Sequence, residues 1–185
     1  MIEINVSTDK PYFTQRNNIL RPFITCNTTS MVAALVYTGF TLPESILFTQ
    51  PEDALTNFLL NDSRVDAEYQ KLFPSEYKKY IFTNKNPKES YPPNELHPIL
   101  SYGTNLWMGK QVTKFRWDAT VQTVLFETLK GRAVVQSGIW NKLHHVTCMV
   151  GFATNQDSIK DITDAKDIDL SQLDHIIMDD SFGDY

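Results

Sequence analysis

The two cysteines of the chain, Cys26 and Cys148, have different surroundings in the sequence. Cys26 stands directly before the run NTTSMVAALVYT, which predicts a helix that ends at Gly39. Backbone N–H groups at the start of a helix favour an anion, so this position suits a thiolate nucleophile. Because a lone cysteine is more often a buried structural residue, the nucleophile interpretation requires a base nearby.

His145 is the first candidate for that base. It begins the strand-like segment HVTCMVG, and a strand that faces a helix start could present an imidazole to a thiol. Side chains alternate along a strand, so Cys148 falls on the face opposite to His145 and is predicted to be a core thiol. Asp179 and Asp180 follow the apolar segment HIIM, where a carboxylate could orient the imidazole or simply end a solvated turn.

Aromatic residues and a run of aspartates are the remaining candidates for ligand contacts. The three tryptophans could line a cleft for a glycan or a peptide, although tryptophan is more often partly buried in a core. The aspartates could bind calcium through carboxylate oxygens, but their spacing lacks the EF-hand pattern, so we expect a solvated loop and no metal or other cofactor. These residues are Trp107, Trp117 and Trp140, and Asp161, Asp164, Asp167, Asp169 and Asp174.

The first half of the chain reads as mostly helical. Alternating apolar residues at the N-terminus predict a short edge strand, and a loop region leads to the apolar helix, which has no polar face on its middle turns and is therefore expected to be buried. Residues 52–82 have helical spacing and predict two or three amphipathic helices. The prolines that follow are expected to end this helical region: Pro87, Pro92, Pro93 and Pro98.

The second half has strand-like periods. Asp118 is the predicted N-cap of a helix that stops at Gly131. Short strands are predicted over 133–136, 145–150 and 175–178, with a turn over 137–143 and a solvated connection over 153–174. The order predicts an α+β domain in which a helical half packs on a mainly antiparallel sheet as two layers. A cleft is expected at the interface between those layers.

Composition limits the classes of function. The 185 residues carry a formal charge of −5 and are 42% apolar, which suits one globular domain over 1–185. No apolar run is long enough for a membrane span, and the N-terminus lacks the features of a signal peptide. Without a basic stripe, nucleic acid is not an expected partner. We therefore expect a protein that is cytoplasmic as synthesised.

Four blocks in the sequence resemble one peptidase family. The segments PYFTQRNN and TCNTTSMVAALVYTG are similar to the pattern QxDN…CGPTSxxMxLxxxG of the C39-like cysteine peptidases of the papain-like superfamily. Farther along, GRAVV, HVTCMVG and IIMDDSFG resemble the family's GKPVI, HxVxxVGY and NDPxG segments, in the same order. The resemblance spans nearly the whole chain and implies a papain-like fold with the cysteine-bearing helix packed on the sheet.

The resemblance also implies a role for each matching residue. Cys26 matches the nucleophile, His145 the general base, Asp180 the carboxylate that orients the imidazole, and Gln15 the side-chain donor of the oxyanion hole. Two positions depart from the pattern: Asn27-Thr28 replaces Gly-Pro, and Ser181 replaces the proline after the aspartate. The predicted substrate contacts are Asn27, Trp107, Trp140 and His144.

Taken with the composition, the resemblance predicts a cell-wall hydrolase of the phage endolysin type that cleaves amide bonds in peptidoglycan after release from the cell. The domain could be one module of a longer lysin. Three alternatives stay open: a peptidase that processes proteins, an acyl transferase that uses the same thioester, and a non-catalytic domain with this fold.

Overall fold

The computed structural model describes residues 1–74, 93–140 and 143–183. In this part of the chain five α-helices accompany an antiparallel sheet of four strands, which is an α+β architecture as predicted. The helices are α1 (Cys26–Tyr37), α2 (Pro51–Asn61), α3 (Ser63–Leu72), α4 (Pro93–Trp107) and α5 (Val121–Leu129). The strands are β1 (Ile2–Asn5), β2 (Val134–Trp140), β3 (Leu143–Thr154) and β4 (Leu173–Asp179).

The apolar helix α1 forms as the sequence predicts. It begins at Cys26, and Gly39 lies just beyond its end with a φ of +93°, a conformation that favours glycine. Ten of its twelve residues are buried, because its middle turns carry no polar face.

Strand β3 is the centre of the sheet and pairs antiparallel with each of the other three strands. Its pairing with β1 depends on Gly151, since a Cβ atom there would lie 2.2 Å from the carbonyl oxygen of Ile4. The pairing with β4 places Cys148 opposite Asp179. The start of β3 and the end of β4 therefore lie near one another, which is the region of the candidate site.

Helices cover the sheet on both faces, so the two-layer prediction is wrong. Helix α1 packs on one face around Cys148 and Val150. On the other face, Leu125 of α5 packs with Met149 and Phe152 of β3. A separate helical core joins α1 to the other helices; its buried members are Met31, Val32, Leu35, Leu55, Leu59, Val65, Tyr69, Ile99 and Leu100.

The connection between β3 and β4 contributes to the packing on the α5 face of the sheet, which the sequence did not predict. The sequence predicts a solvated segment, but the connection contains three short 3₁₀ helices (Ile159–Asp161, Ala165–Asp167 and Leu170–Gln172) and packs against α5. Ile159, Ile162 and Ile168 are buried in the same core as Leu125. Three isoleucines are enough to anchor this segment, although the polar residues around them dominate its composition.

Prolines do not end the helical region at Pro93 and Pro98, because both lie in α4. Pro98 gives up one backbone hydrogen bond inside the helix, and the complete burial of the neighbouring Ile99 and Leu100 compensates for that loss. Pro87 and Pro92 lie outside the described residues. Helices α2 and α3 confirm the amphipathic prediction up to residue 72.

Two further predictions in the second half are corrected. Thr120, not Asp118, caps α5: its hydroxyl accepts from the Thr123 N–H at 3.2 Å, whereas Asp118 pairs with Arg116. The predicted turn over 137–143 is shorter, since β2 runs to Trp140 and β3 starts at Leu143. Among the described residues no helix has both the length and the apolar composition to cross a bilayer.

Candidate active site

Cys26 is the first residue of α1, where the N-terminal backbone N–H groups of the helix favour a negative charge. Its side chain lies in a position of intermediate exposure, in contrast to the buried Cys148. One turn farther along the helix, the Ser30 hydroxyl donates to the Val146 carbonyl at 3.0 Å. This bond fixes the helix that carries the thiol to the strand position next to His145.

The loop before Cys26 is held by buried polar side chains. The Asn18 amide donates to the hydroxyls of Thr25 and Thr29 at 2.9 and 3.1 Å, which joins the loop to the first turn of α1. Asp53, which is completely buried in α2, accepts from the backbone N–H groups of Ile19 and Leu20 at 2.9 and 2.8 Å. These bonds replace the hydration that the buried groups lose and give the loop a defined path to the nucleophile.

His145 connects the thiol to a carboxylate. Its Nε2 lies 2.7 Å from Asp180 Oδ1, and the imidazole also makes a side-chain hydrogen bond with Cys26. Because Nε2 is engaged by Asp180, Nδ1 is the ring nitrogen that remains for the thiol. The structure therefore brings together the three residues to which the resemblance assigns the roles of nucleophile, base and orienting acid.

The electrostatics of this trio favour a charged imidazole. The hydrogen bond to Cys26 is the largest influence and raises the pKa of His145 to about 9; burial opposes it, and Asp180 adds to it through its hydrogen bond and its charge. The side chain of His145 is only 14% exposed, so these interactions are weakly screened by water. At neutral pH the site holds a proton on the imidazole, next to the sulfur.

Asp180 and Asp179 have different partners, which decides between the two carboxylates. Asp180 follows the last residue of β4, and its Oδ1 also accepts from the Phe182 N–H at 2.8 Å, a bond that fixes the carboxylate toward His145. Asp179 instead accepts a hydrogen bond from the hydroxyl of Tyr37 on α1. Successive side chains at a strand end point to opposite sides, so only Asp180 can reach the imidazole.

The Asp179 side of the sheet is a structural core. Burial, followed by the hydrogen bond to Asp179, raises the pKa of the Tyr37 hydroxyl far above its usual value. Burial likewise raises the pKa of the Cys148 thiol, which is 0% exposed. Both groups stay neutral at any ordinary pH, so the prediction that Cys148 is a core thiol is confirmed.

Gln15 is 1% exposed and binds both the loop before Cys26 and the turn after Asp180. Its Nε2 donates to the carbonyl of Pro22 at 3.0 Å, in the loop before Cys26, and its Oε1 accepts from the hydroxyl of Ser181 at 2.8 Å. Its backbone N–H donates to the Ser181 carbonyl at 2.8 Å. The amide is thus anchored both to the nucleophile loop and to the turn that follows Asp180, and an amide nitrogen has two hydrogens.

The predicted substrate contacts have varied positions. Asn27 is the buried second residue of α1. Trp107 ends α4 and packs against the helical core, so it has the core role that the sequence left open. The side chains of Trp140 and His144 lie outside the described part of the structure. Trp117 is 68% exposed, and its ring lies edge-to-face with Phe115, with 4.6 Å between the ring centroids.

Two of the aspartates between β3 and β4 bind the backbone of their own segment. Asp164 accepts from the Lys166 N–H at 3.1 Å and Asp169 from the Ser171 N–H at 2.9 Å, so each caps a 3₁₀ helix. Within the described ranges, no three His, Cys, Asp or Glu side chains are grouped so that they could hold a metal ion.

Two residues of the site were not identified from the sequence as functional. Ser30 follows Cys26 by four residues, so it lies on the same face of the helix; that spacing is a signal that sequence reasoning could have used. Ser181 was recognised only as a departure from the family pattern. Its contact with Gln15 joins positions separated by 166 residues, and no local pattern predicts such a pairing.

Comparisons with known proteins give no match, so a functional assignment depends on the geometry of the site. No protein-family model, no curated protein and no solved structure matches the chain.

Proposed function

We propose that this protein is a cysteine peptidase or amidase with a papain-like fold, which cleaves an amide bond through a thioester on Cys26. The observation that carries the proposal is the connected series Cys26, His145 and Asp180, with the thiol at a helix start and the imidazole between the sulfur and the carboxylate. A nucleophile next to a base that is oriented by a third group is the arrangement that acyl transfer requires.

In the first half of the reaction the Cys26 thiolate attacks the carbonyl carbon of the amide. A C–S bond forms, and the electron pair of the C=O π bond moves to the oxygen. When this intermediate collapses, the C–N bond breaks and the His145 imidazolium gives its proton to the leaving amine. The thioester remains on the enzyme, and His145 is now neutral.

In the second half water attacks the thioester. Neutral His145 takes a proton from the water as the C–O bond forms, and the C–S bond then breaks to release the acid and restore the Cys26 thiolate. Asp180 holds the ring orientation through both steps, because its bond to Nε2 keeps Nδ1 directed at the sulfur and the reacting atoms. The covalent and proton-transfer steps as proposed use the side chains of Cys26 and His145 and one water molecule.

The developing oxyanion needs hydrogen-bond donors. The backbone N–H of Cys26 at the start of α1 is one candidate, and the second hydrogen of the Gln15 amide is the other. A single donor of this kind typically contributes about 3 kcal/mol, or roughly a hundredfold in rate. Gln15 is supported in this role by its buried anchors on both sides of the site.

The proposed substrate is peptidoglycan, with cleavage at an amide bond of the stem peptides or cross-bridges, as expected for an endolysin that acts after release from the cell. Support comes from the resemblance of four sequence blocks to C39-like peptidases, soluble members of which are modules of cell-wall lysins. A thioester can also be attacked by an amine, so transfer instead of hydrolysis is the alternative that the same site allows.

The test is digestion of purified cell walls of several cross-bridge types by the wild-type protein, Cys26→Ala and Cys148→Ala. We expect new free amines without new reducing sugar ends from the wild type and from Cys148→Ala, and none from Cys26→Ala. Mass analysis of the fragments identifies the bond. Full activity in a folded Cys26→Ala protein contradicts the mechanism, and mass-shifted products with an added amine indicate transfer.

A further inference from the structure

We propose that Ser181 is a positioning residue that holds the Gln15 amide in its working orientation and couples it to Asp180. This inference rests on the proposed function of the site, because it gives Gln15 the role of oxyanion donor. It adds a residue that the resemblance does not supply, since the family has a proline at this position and proline has no hydroxyl to donate.

The contact between the two side chains is buried and directional. The Ser181 hydroxyl donates to Gln15 Oε1 at 2.8 Å, and the two residues are 3% and 1% exposed. Without that hydroxyl, Oε1 loses its donor in a region that water does not readily reach. A buried acceptor without a partner is unfavourable, so the amide would rotate or shift to recover a bond.

The orientation of the amide decides whether it can donate. With Oε1 bound to Ser181, the nitrogen faces the other way, toward the Pro22 carbonyl at 3.0 Å and the loop that leads to Cys26. A rotation that exchanges oxygen and nitrogen would bring the oxygen next to this carbonyl and remove the donor from the side of the nucleophile. Ser181 thus stabilises the orientation in which the amide nitrogen faces the loop before Cys26, which is the orientation that the proposed donor role requires.

Ser181 also links this donor to the orienting acid. It follows Asp180 directly, and its carbonyl accepts from the Gln15 N–H at 2.8 Å and from the Thr14 hydroxyl at 3.1 Å. The Ser181 backbone and side chain therefore both bind Gln15. The position of the oxyanion donor and that of the carboxylate are set by the same turn.

The kinetic test compares Ser181→Ala with Thr14→Val. Thr14→Val removes a hydroxyl that donates to the Ser181 carbonyl at 3.1 Å and accepts from the Arg16 N–H at 3.3 Å, but it leaves the amide contact intact, so it serves as the matched control. Because oxyanion donors act in the transition state, Ser181→Ala should lower kcat about tenfold with little change in KM, less than the roughly hundredfold loss for a missing donor. Thr14→Val should stay within about twofold of wild type.

A double-mutant cycle separates positioning from a general structural effect. If Ser181 acts through Gln15, adding Ser181→Ala to Gln15→Ala should cause no further loss of kcat. Equal losses in the wild-type and Gln15→Ala backgrounds would overturn the proposal, as would a Thr14→Val loss as large as that of Ser181→Ala.

A measurement without substrate keeps the inference testable if the proposed function fails. The NMR signals of the Gln15 side-chain amide should shift or broaden in Ser181→Ala and stay unchanged in Thr14→Val. Unchanged amide signals in Ser181→Ala would overturn the positioning role at any level of activity. The absence of amide cleavage by the wild-type protein would instead overturn the proposed function alone.

Discussion

Replacing Asp180 with asparagine would remove a negative charge next to His145 while keeping an oxygen in place. Asp180 Oδ1 accepts from His145 Nε2 and from the Phe182 N–H at 2.7 and 2.8 Å. An asparagine Oδ1 can accept both bonds, so the substitution tests the charge and not the contact. We expect the pKa of His145 to fall, because the carboxylate stabilises the protonated imidazole.

The size of the change follows from the interactions at the ring. The pKa of His145 stands at about 9, compared with an ordinary value of 6.5, with the Cys26 hydrogen bond as the largest cause and Asp180 as a further one. A hydrogen bond to a charged group contributes about 1 kcal/mol more than a neutral one. Since 1.4 kcal/mol corresponds to about one pH unit, Asp180→Asn should lower the pKa by about one pH unit.

NMR titration of the histidine ring signals measures this directly and needs no substrate. The chain has four histidines, and the signal of His145 is assigned by its loss in His145→Gln. Asp174→Asn is the matched control, because Asp174 lies 2.7 Å from the ring of the exposed His175 and away from the site. That variant removes the same charge from a His–Asp pair and should leave the His145 titration unchanged.

Activity should follow the same shift. His145 must carry a proton to give to the leaving amine, so kcat/KM is expected to fall as pH rises through about 9 in the wild type, and at lower pH in Asp180→Asn. A His145 titration that is identical in the wild type and in Asp180→Asn would refute the reasoning. So would an equal shift in Asp174→Asn, which would indicate an effect of total charge.

Two further predictions concern the thiols and the attachment of α1. A thiol reagent should label one cysteine in the folded protein and two in denaturant, since Cys148 is fully buried with a raised pKa while Cys26 is partly exposed; labelling of both at equal rates in the folded state would contradict this. Ser30→Ala should lower the free energy of unfolding by about 1–2 kcal/mol, because it leaves the Val146 carbonyl without its donor. Urea denaturation measures this change, and the same midpoint and slope as wild type would show that the bond does not hold the helix.

Local patterns were sufficient to predict the helix that begins at Cys26 and the alternation of side chains along β3. The apolar run after Cys26 and the glycine that ends it fix α1 within a residue, because helix length and termination depend on neighbouring residues. Alternation along β3 placed His145 and Cys148 on opposite faces for the same reason. The polar composition of residues 153–174, in contrast, predicted a solvated segment, although three of its isoleucines are buried in the core.

The sequence by itself therefore determined the chemical types of the site and the elements that carry them: a thiol at a helix start, an imidazole on a strand and an acidic pair at a strand end. The residue types left Asp179 and Asp180 open and the resemblance implied Asp180, but only the tertiary structure showed that Asp180 faces His145 and that Ser181 binds Gln15. These choices depend on the register between β3 and β4 and on the path of residues 12–15 along the turn at 180–181. Contacts of that kind join residues far apart in the chain, and their positions are set by the packing of the whole sheet against α1.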